Sequence, residues 1–258
     1  VELAMKTPQV EPDSDVEAIF WEVRLDDKKG GKLSYNHYIR VKIFTERGRE
    51  KYSKFDIPFT KGKKIEDIAA RVIKPDGSII ELNPNDIFER EIFKSKKFKI
   101  QAKSFAIPSI EVGVIVEYQY KETFKGDSLN DERLPLQRDI PVQRLTYYVR
   151  PYQNLPVSFK FYNTQEFSFT PDTDNFYRGT VTNVPAFKEE DQMPPEDEAR
   201  PWVLLKYRSS YSDFSWSFFG LGASQYFTEA IKPSKEIQQK ANELTNGISS
   251  NEEKLRRI

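Results

Sequence analysis

Residues 17–210 are a succession of short segments in which apolar and polar side chains alternate, broken by polar turn clusters, and this pattern commits the chain to β structure. In residues 97–103, for instance, Phe98, Ile100 and Ala102 point one way while Lys97, Lys99, Gln101 and Lys103 point the other. Residues 112–120 are a near-continuous β-branched and aromatic run, as expected of a central strand. Residues 68–82 read as two strands joined by Pro75-Asp-Gly-Ser, in which Gly77 can take a positive φ. Further strands are expected at 18–25, 35–46, 145–149, 157–162, 176–184 and 202–208, separated by turns such as Asn83-Pro-Asn-Asp and Thr170-Pro-Asp-Thr-Asp. Many short strands with polar turns predict a mainly β fold: an antiparallel β-sandwich, either single or two stacked sub-sheets. The seam between two units would fall in Lys125-Gly-Asp-Ser-Leu-Asn-Asp.

The character changes after residue 210. A helix is expected around 215–227, and a second opens at Ser234 as N-cap, with Ile237, Ala241 and Leu244 on one face and Gly247 after its end. Ser249-Ser-Asn-Glu252 reads as a capping box for a third helix. That helix has run barely two turns at Ile258, too short to stand alone in water, so the chain is expected to be a piece of a longer protein. The expected organisation is an N-terminal extension (1–16), a β-sandwich (17–210) and a short helical extension (211–258). The start at Val1 lacks the basic and apolar stretches of a signal peptide, and no apolar run is long enough to span a membrane.

Composition removes much chemistry. With no Cys, thiol nucleophiles, disulfides and thiolate metal sites are excluded, and one histidine, His37, excludes paired-histidine metal sites. His37 alternates with Tyr35 and Ile39 on an expected strand, which suits a packed or a surface-exposed histidine better than a catalytic one. Forty basic and forty acidic residues balance to zero, without the basic excess of a nucleic-acid-binding domain. Lys94, Lys96, Lys97, Lys99 and Lys103, interleaved with phenylalanines, are therefore read as a solvated strand face. Asp172-Thr-Asp174 starts like a calcium loop, but Tyr177 stands at the glycine position, so a hairpin turn is the better reading. Gly220-Leu-Gly222-Ala-Ser224 completes neither a phosphate-binding loop nor a nucleophile elbow. The acids of 189–198 read as a Pro-stiffened connection; a hydrolase working through them would need a cleft with two distinct environments. No catalytic, cofactor-binding or metal-binding residue is predicted.

Four segments carry a resemblance: residues 70–80 around Pro75-Asp-Gly77; Phe105-Ala-Ile-Pro-Ser-Ile-Glu-Val-Gly-Val-Ile-Val-Glu-Tyr118-Gln-Tyr120; Leu136-Gln-Arg-Asp-Ile-Pro-Val142 with Tyr148-Val-Arg-Pro151; and Asn183-Val-Pro-Ala-Phe-Lys-Glu-Glu190 leading to Met193-Pro-Pro195. In order and spacing they resemble the bacterial domain of unknown function found directly before a transglutaminase-like (cysteine-protease-type) core. Glu252-Glu-Lys254-Leu-Arg-Arg-Ile258 is similar to the helix leading into that core. The family's Cys, His and Asp would come later, so no catalytic residue carries over. The resemblance implies a non-catalytic accessory module of an exported protein, periplasmic or on the cell surface, whose partner is the core of the same polypeptide. Trp202, Tyr207, Tyr211, Phe214 and Trp216 are the candidate interaction surface. The alternative is a free-standing carbohydrate- or peptide-binding module using Trp21, Tyr38, Tyr147, Tyr148 and Tyr152.

Overall fold

The computed structural model describes residues 1–27, 33–95, 98–125, 131–207 and 216–258. Residues 126–130 of the expected seam and Lys96 and Lys97 of the basic cluster fall outside these ranges. The chain divides into two compact units, Val1–Arg208 and Ser209–Ile258. The first contains β1 (Val16–Asp26), β2 (Ser34–Ile43), α1 (Glu46–Lys51), β3 (Lys54–Thr60), β4 (Lys63–Ile73), β5 (Ile79–Glu81), β6 (Phe88–Lys94), β7 (Lys99–Ala106), β8 (Ile115–Phe124), β9 (Glu132–Pro135), β10 (Val142–Arg150), β11 (Val157–Tyr162), β12 (Thr170–Pro171), β13 (Tyr177–Val184), α2 (Glu196–Ala199) and β14 (Trp202–Tyr207). An eight-stranded sheet runs β12-β13-β10-β1-β2-β8-β4-β5, beside three-stranded sheets β11-β14-β9 and β3-β7-β6. Pairing is antiparallel except between β1 and β10, which run parallel.

One buried cluster joins all three sheets. Val23, Leu25, Ile39 and Val41 on the large sheet, Ile57 and Phe105 on one small sheet, and Leu134, Val203 and Leu205 on the other belong to the same core. The mainly β fold of the sequence reading is therefore realised around a single core. A smaller cluster on the opposite face of the large sheet (Ile19, Phe20 and Ile115) is covered by Leu3 and Met5. The N-terminal segment is thus a strap across the sheet. Buried Lys42 donates to the Leu3 carbonyl at 2.9 Å, and the fully buried Glu17 carboxylate accepts from the Gln9 and Val10 amides at 2.9 and 2.7 Å. These bonds satisfy charges whose burial would otherwise cost several kcal/mol, on the order of the penalty for an unpaired ion.

Several boundaries differ from expectation. The strand expected over 35–46 stops at Ile43, because Thr45 accepts from the Gly48 amide at 3.1 Å and caps α1. Gly48 is required there: a Cβ would lie 2.5 Å from the Asp15 carbonyl oxygen and 2.6 Å from Val16. The strand expected over 112–120 starts only at Ile115, after Gly113 turns with φ 92°. The hairpin at Pro75-Asp-Gly-Ser forms as expected, with Gly77 at φ 85°. Asp172 sits in a tight hairpin turn between β12 and β13, where its side chain accepts from the Thr173 amide.

The second unit carries α3 (Trp216–Ala230), α4 (Lys235–Thr245) and α5 (Asn251–Arg257). Ser234 caps α4 as expected, accepting from the Ile237 amide at 3.3 Å. The α5 cap is one residue later than expected: Ser250 accepts from the Glu253 amide, so the box Ser249–Glu252 is not the one used. No helix among the described residues is long and apolar enough to cross a membrane.

Candidate interaction surfaces

The alternation of β14 decides where its aromatic residues point. Val203 and Leu205 are fully buried, so Tyr207 shares their inward face while Trp202, Leu204 and Lys206 face away from the core. Outward, Trp202 stacks on Tyr162 of β11, the residue opposite it in the ladder, with ring centroids 4.1 Å apart and planes 7° apart. The Arg133 guanidinium lies 4.8 Å from the Trp202 ring and forms an ion pair with Asp197. The Trp202 indole N–H donates to the Asp197 carbonyl at 3.0 Å. Asn163 donates to the Asp197 and Arg200 carbonyls, both at 3.1 Å. Part of the acidic stretch 189–198 is thus fastened to the β11–β14–β9 sheet as α2, and two partly exposed rings beside a guanidinium form a rigid surface. Among the described residues, no group of three or more His, Asp or Glu is placed to hold a metal.

Inward, Tyr207 belongs to a buried polar group. Its hydroxyl donates to Asp27 at 2.7 Å and accepts from the Tyr152 amide at 3.0 Å. Nearby, Tyr35 donates to Glu132 at 2.6 Å. Burial pushes both hydroxyls up, with the carboxylates adding to the effect, and burial likewise raises the Glu132 carboxyl above its ordinary range. Arg138 donates to the Tyr147 hydroxyl at 2.8 Å and to the Pro135 carbonyl at 2.7 Å, with its guanidinium 5.0 Å from the Trp21 ring.

His37 lies on the same inward face, its ring stacked on Tyr120 at 4.4 Å. Neither ring nitrogen makes a hydrogen bond within the protein, and burial pushes its pKa down to about 3, aided by the positive charges of Arg138 and Lys63. Glu122 stands 3.8 Å away, but its carboxylate is already bonded to Lys63 at 2.7 Å, which leaves it little capacity to hold an imidazolium. Of the two non-catalytic placements open to it in the sequence, packed or surface-exposed, the histidine takes the packed one.

The outward face of the large sheet carries a second set of polar groups. Glu117, nearly fully buried, binds Arg40 and Arg71 and accepts from the Tyr38 hydroxyl at 3.1 Å. Burial opposes its ionisation, but the two guanidinium bonds outweigh that and hold the carboxyl below its ordinary value. Two depressions, of about 420 and 410 Å³, adjoin here and share Tyr38 and Gln119 in their linings.

Two of the five predicted interaction residues are therefore on opposite faces of one strand. Tyr211 and Phe214 lie outside the described residues; Trp216 opens α3, with its side chain outside them too. The alternative aromatic set is also divided: Trp21 and Tyr147 pack inward, whereas Tyr38 faces outward and Tyr148 lies outward beneath the Arg24 guanidinium at 4.1 Å. Tyr162 and Arg133, which complete the Trp202 surface, went unnoticed in the sequence. The strands carrying Tyr162 and Trp202 are both expected from the sequence, whereas β9, which carries Arg133, is not, and the register that sets Tyr162 against Trp202 is a tertiary fact.

Comparison with known proteins adds the following. Over 94% of its length the chain superposes on a candidate protease from Parabacteroides distasonis, with 18% identity and a TM-score of 0.70, covering 49% of that protein. The chain thus spans about half the length of that structure, and the likeness is one of fold. Slighter overlaps occur with yeast LTA4 hydrolase (10% identity, 76% of this chain, 29% of that one, TM-score 0.36) and an M1 zinc metallopeptidase from Deinococcus radiodurans (10%, 78%, 45%, 0.32). No curated protein matches the sequence. Residues 29–188, more than half of the chain, match DUF3857, a domain of unknown function with a solved structure. The chain belongs to the DUF3857 family.

Proposed function

We propose that this chain is a non-catalytic accessory module of a larger exported bacterial protein, packing against a transglutaminase-like core and helping to present its substrate or a partner. The observation that supports this most is the match in fold to half of a candidate protease, along nearly all of this chain. The packing of its single histidine supports it too, since that imidazole is stacked and held neutral on the inward face. In this reading the Trp202–Tyr162–Arg133 surface meets the core, where a fixed aromatic pair beside a guanidinium offers area at small entropic cost. The experiment compares the core alone, the core joined to this chain, and this chain alone on peptide and acyl-transfer substrates. Turnover by the core that changes in KM when the chain is attached, with none by the chain itself, supports the reading. Turnover by the isolated chain overturns it.

A further inference from the structure

Four strands lie side by side in the middle of the large sheet, in the order β1-β2-β8-β4. Val23, Leu25, Ile39, Tyr118 and Tyr120 belong to the core or pack on it. Alternation therefore places Glu22, Arg24, Asn36, Tyr38, Gln119 and Lys121 on the opposite face, where they line the depression of about 410 Å³. Asp67 joins them through a bulge. From Lys121 to Gln119 β8 advances two residues, while β4 advances three, from Glu66 to Ala69. The extra residue lets Ile68 pack on the core and leaves Asp67 in the lining at φ 54°, a left-handed backbone that Asp adopts more readily than most residues.

This lining differs from the polar group beside it. Glu117, Arg40 and Arg71 satisfy one another, and Tyr38 is bonded to Glu117. By contrast, the side chains of Glu22, Arg24, Asn36, Asp67, Gln119 and Lys121 form no hydrogen bond or ion pair with any described residue. The two carboxylates can only accept, Arg24 and Lys121 can only donate, and the two amides do both. A ligand that uses them must therefore donate and accept. Charge narrows the choice. Glu22 and Arg24 stand together on β1, and Asp67 and Lys121 on the β4–β8 pair across the depression, so each side carries one acid and one base. An anion or a cation meets a like charge on both sides, and a zwitterion finds no side of single sign. The carboxylates, amides and guanidinium are planar groups with two bonding positions side by side, which match the neighbouring hydroxyls of a sugar. Through Tyr38 and Gln119 the lining continues into the depression of about 420 Å³, where Ile68, Leu82 and Pro84 add apolar surface for the C–H face of a further ring. Both volumes are in the range of small-molecule sites. We propose that the two depressions form one binding site for a neutral oligosaccharide. This does not rest on the accessory reading above, because Trp202 lies on a different sheet.

The test titrates the whole chain, isotope-labelled, with three neutral probes: maltotetraose, cellotetraose and tetra-N-acetylchitotetraose. The controls are tetragalacturonate, which is anionic, and the blocked peptide acetyl-Ser-Gly-Ser-Gly-amide, which is neutral but lacks paired hydroxyls. At least one neutral saccharide is expected to shift the amide signals of residues 36–38, 66–69 and 119–121 and to bind more tightly than either control. Asn36→Ala and Gln119→Ala are each expected to weaken it about fivefold, while leaving the melting temperature within the range of surface substitutions. No shift of these signals by any of the three at millimolar saccharide overturns the proposal. So does equal or tighter binding of a control, binding unchanged in both variants, or shifts centred on Tyr162 and Trp202.

Discussion

Replacing His37 by phenylalanine should remove a specific slice of the acid sensitivity of this protein. In the unfolded chain His37 titrates near its ordinary pKa of about 6.5, whereas in the fold burial holds it at about 3. Between those values the unfolded state binds a proton that the folded state does not, so stability falls as pH falls. The contribution is fully present above about pH 6.5 and is lost progressively towards pH 3, with a limiting slope of about 1.4 kcal/mol per pH unit. From pH 7.5 to 4.5 this amounts to roughly 2.5 kcal/mol. Phenylalanine keeps the ring against Tyr120 and discards two nitrogens that bond to nothing in the protein, so the variant should match the parent or exceed it at pH 7.5. Glu132, whose raised pKa gives the opposite slope, is common to both proteins and cancels in the difference. Urea unfolding of both proteins at the two pH values reads the effect. Parallel loss of stability in the two, or a histidine ring signal titrating near its ordinary value, refutes the placement of His37 in the core.

Two further substitutions test the packing that sets the surfaces. Gly48→Ala should destabilise by about 1–3 kcal/mol, because its Cβ would overlap the Asp15 carbonyl and Val16 at the junction of α1 and β1; a chemical melt unchanged within error would contradict the close approach. Tyr207→Phe removes a hydrogen bond from the buried Asp27 and an acceptor from the Tyr152 amide, and should cost on the order of 1–3 kcal/mol. A neutral effect would place Tyr207 on the outward face with Trp202.

What was legible in the sequence follows the strength of local alternation. Segments rich in β-branched and aromatic residues, such as 145–149 and 157–162, became β10 and β11 nearly as expected. The strands that went unread are polar or interrupted. β6 reads Phe-Glu-Arg-Glu-Ile-Phe-Lys, with neither face buried; β3 contains Pro58, tolerated because β3 ends its sheet; β9 has only Leu134 to bury. The cap at Thr45 lay inside what looked like a continuing strand, and only its bond to the Gly48 amide shows the chain turning. The surfaces were harder to read than the strands. Tyr35, His37 and Tyr120 carry polar atoms yet face the core: the Tyr35 hydroxyl is bonded to Glu132, distant in sequence, and the His37 imidazole is held neutral and stacked on Tyr120. Likewise, the N-terminal segment read as an extension is a strap, because the charges it satisfies, Glu17 and Lys42, lie within β1 and β2.

The accessory reading makes a prediction outside the fold. The open reading frame that encodes this chain, sequenced beyond the codon for Ile258, should continue into a domain with a Cys at the start of a helix, followed by a His and an Asp on later strands. A stop codon there, or a following domain without that set, would contradict the claim that this module serves a thiol enzyme.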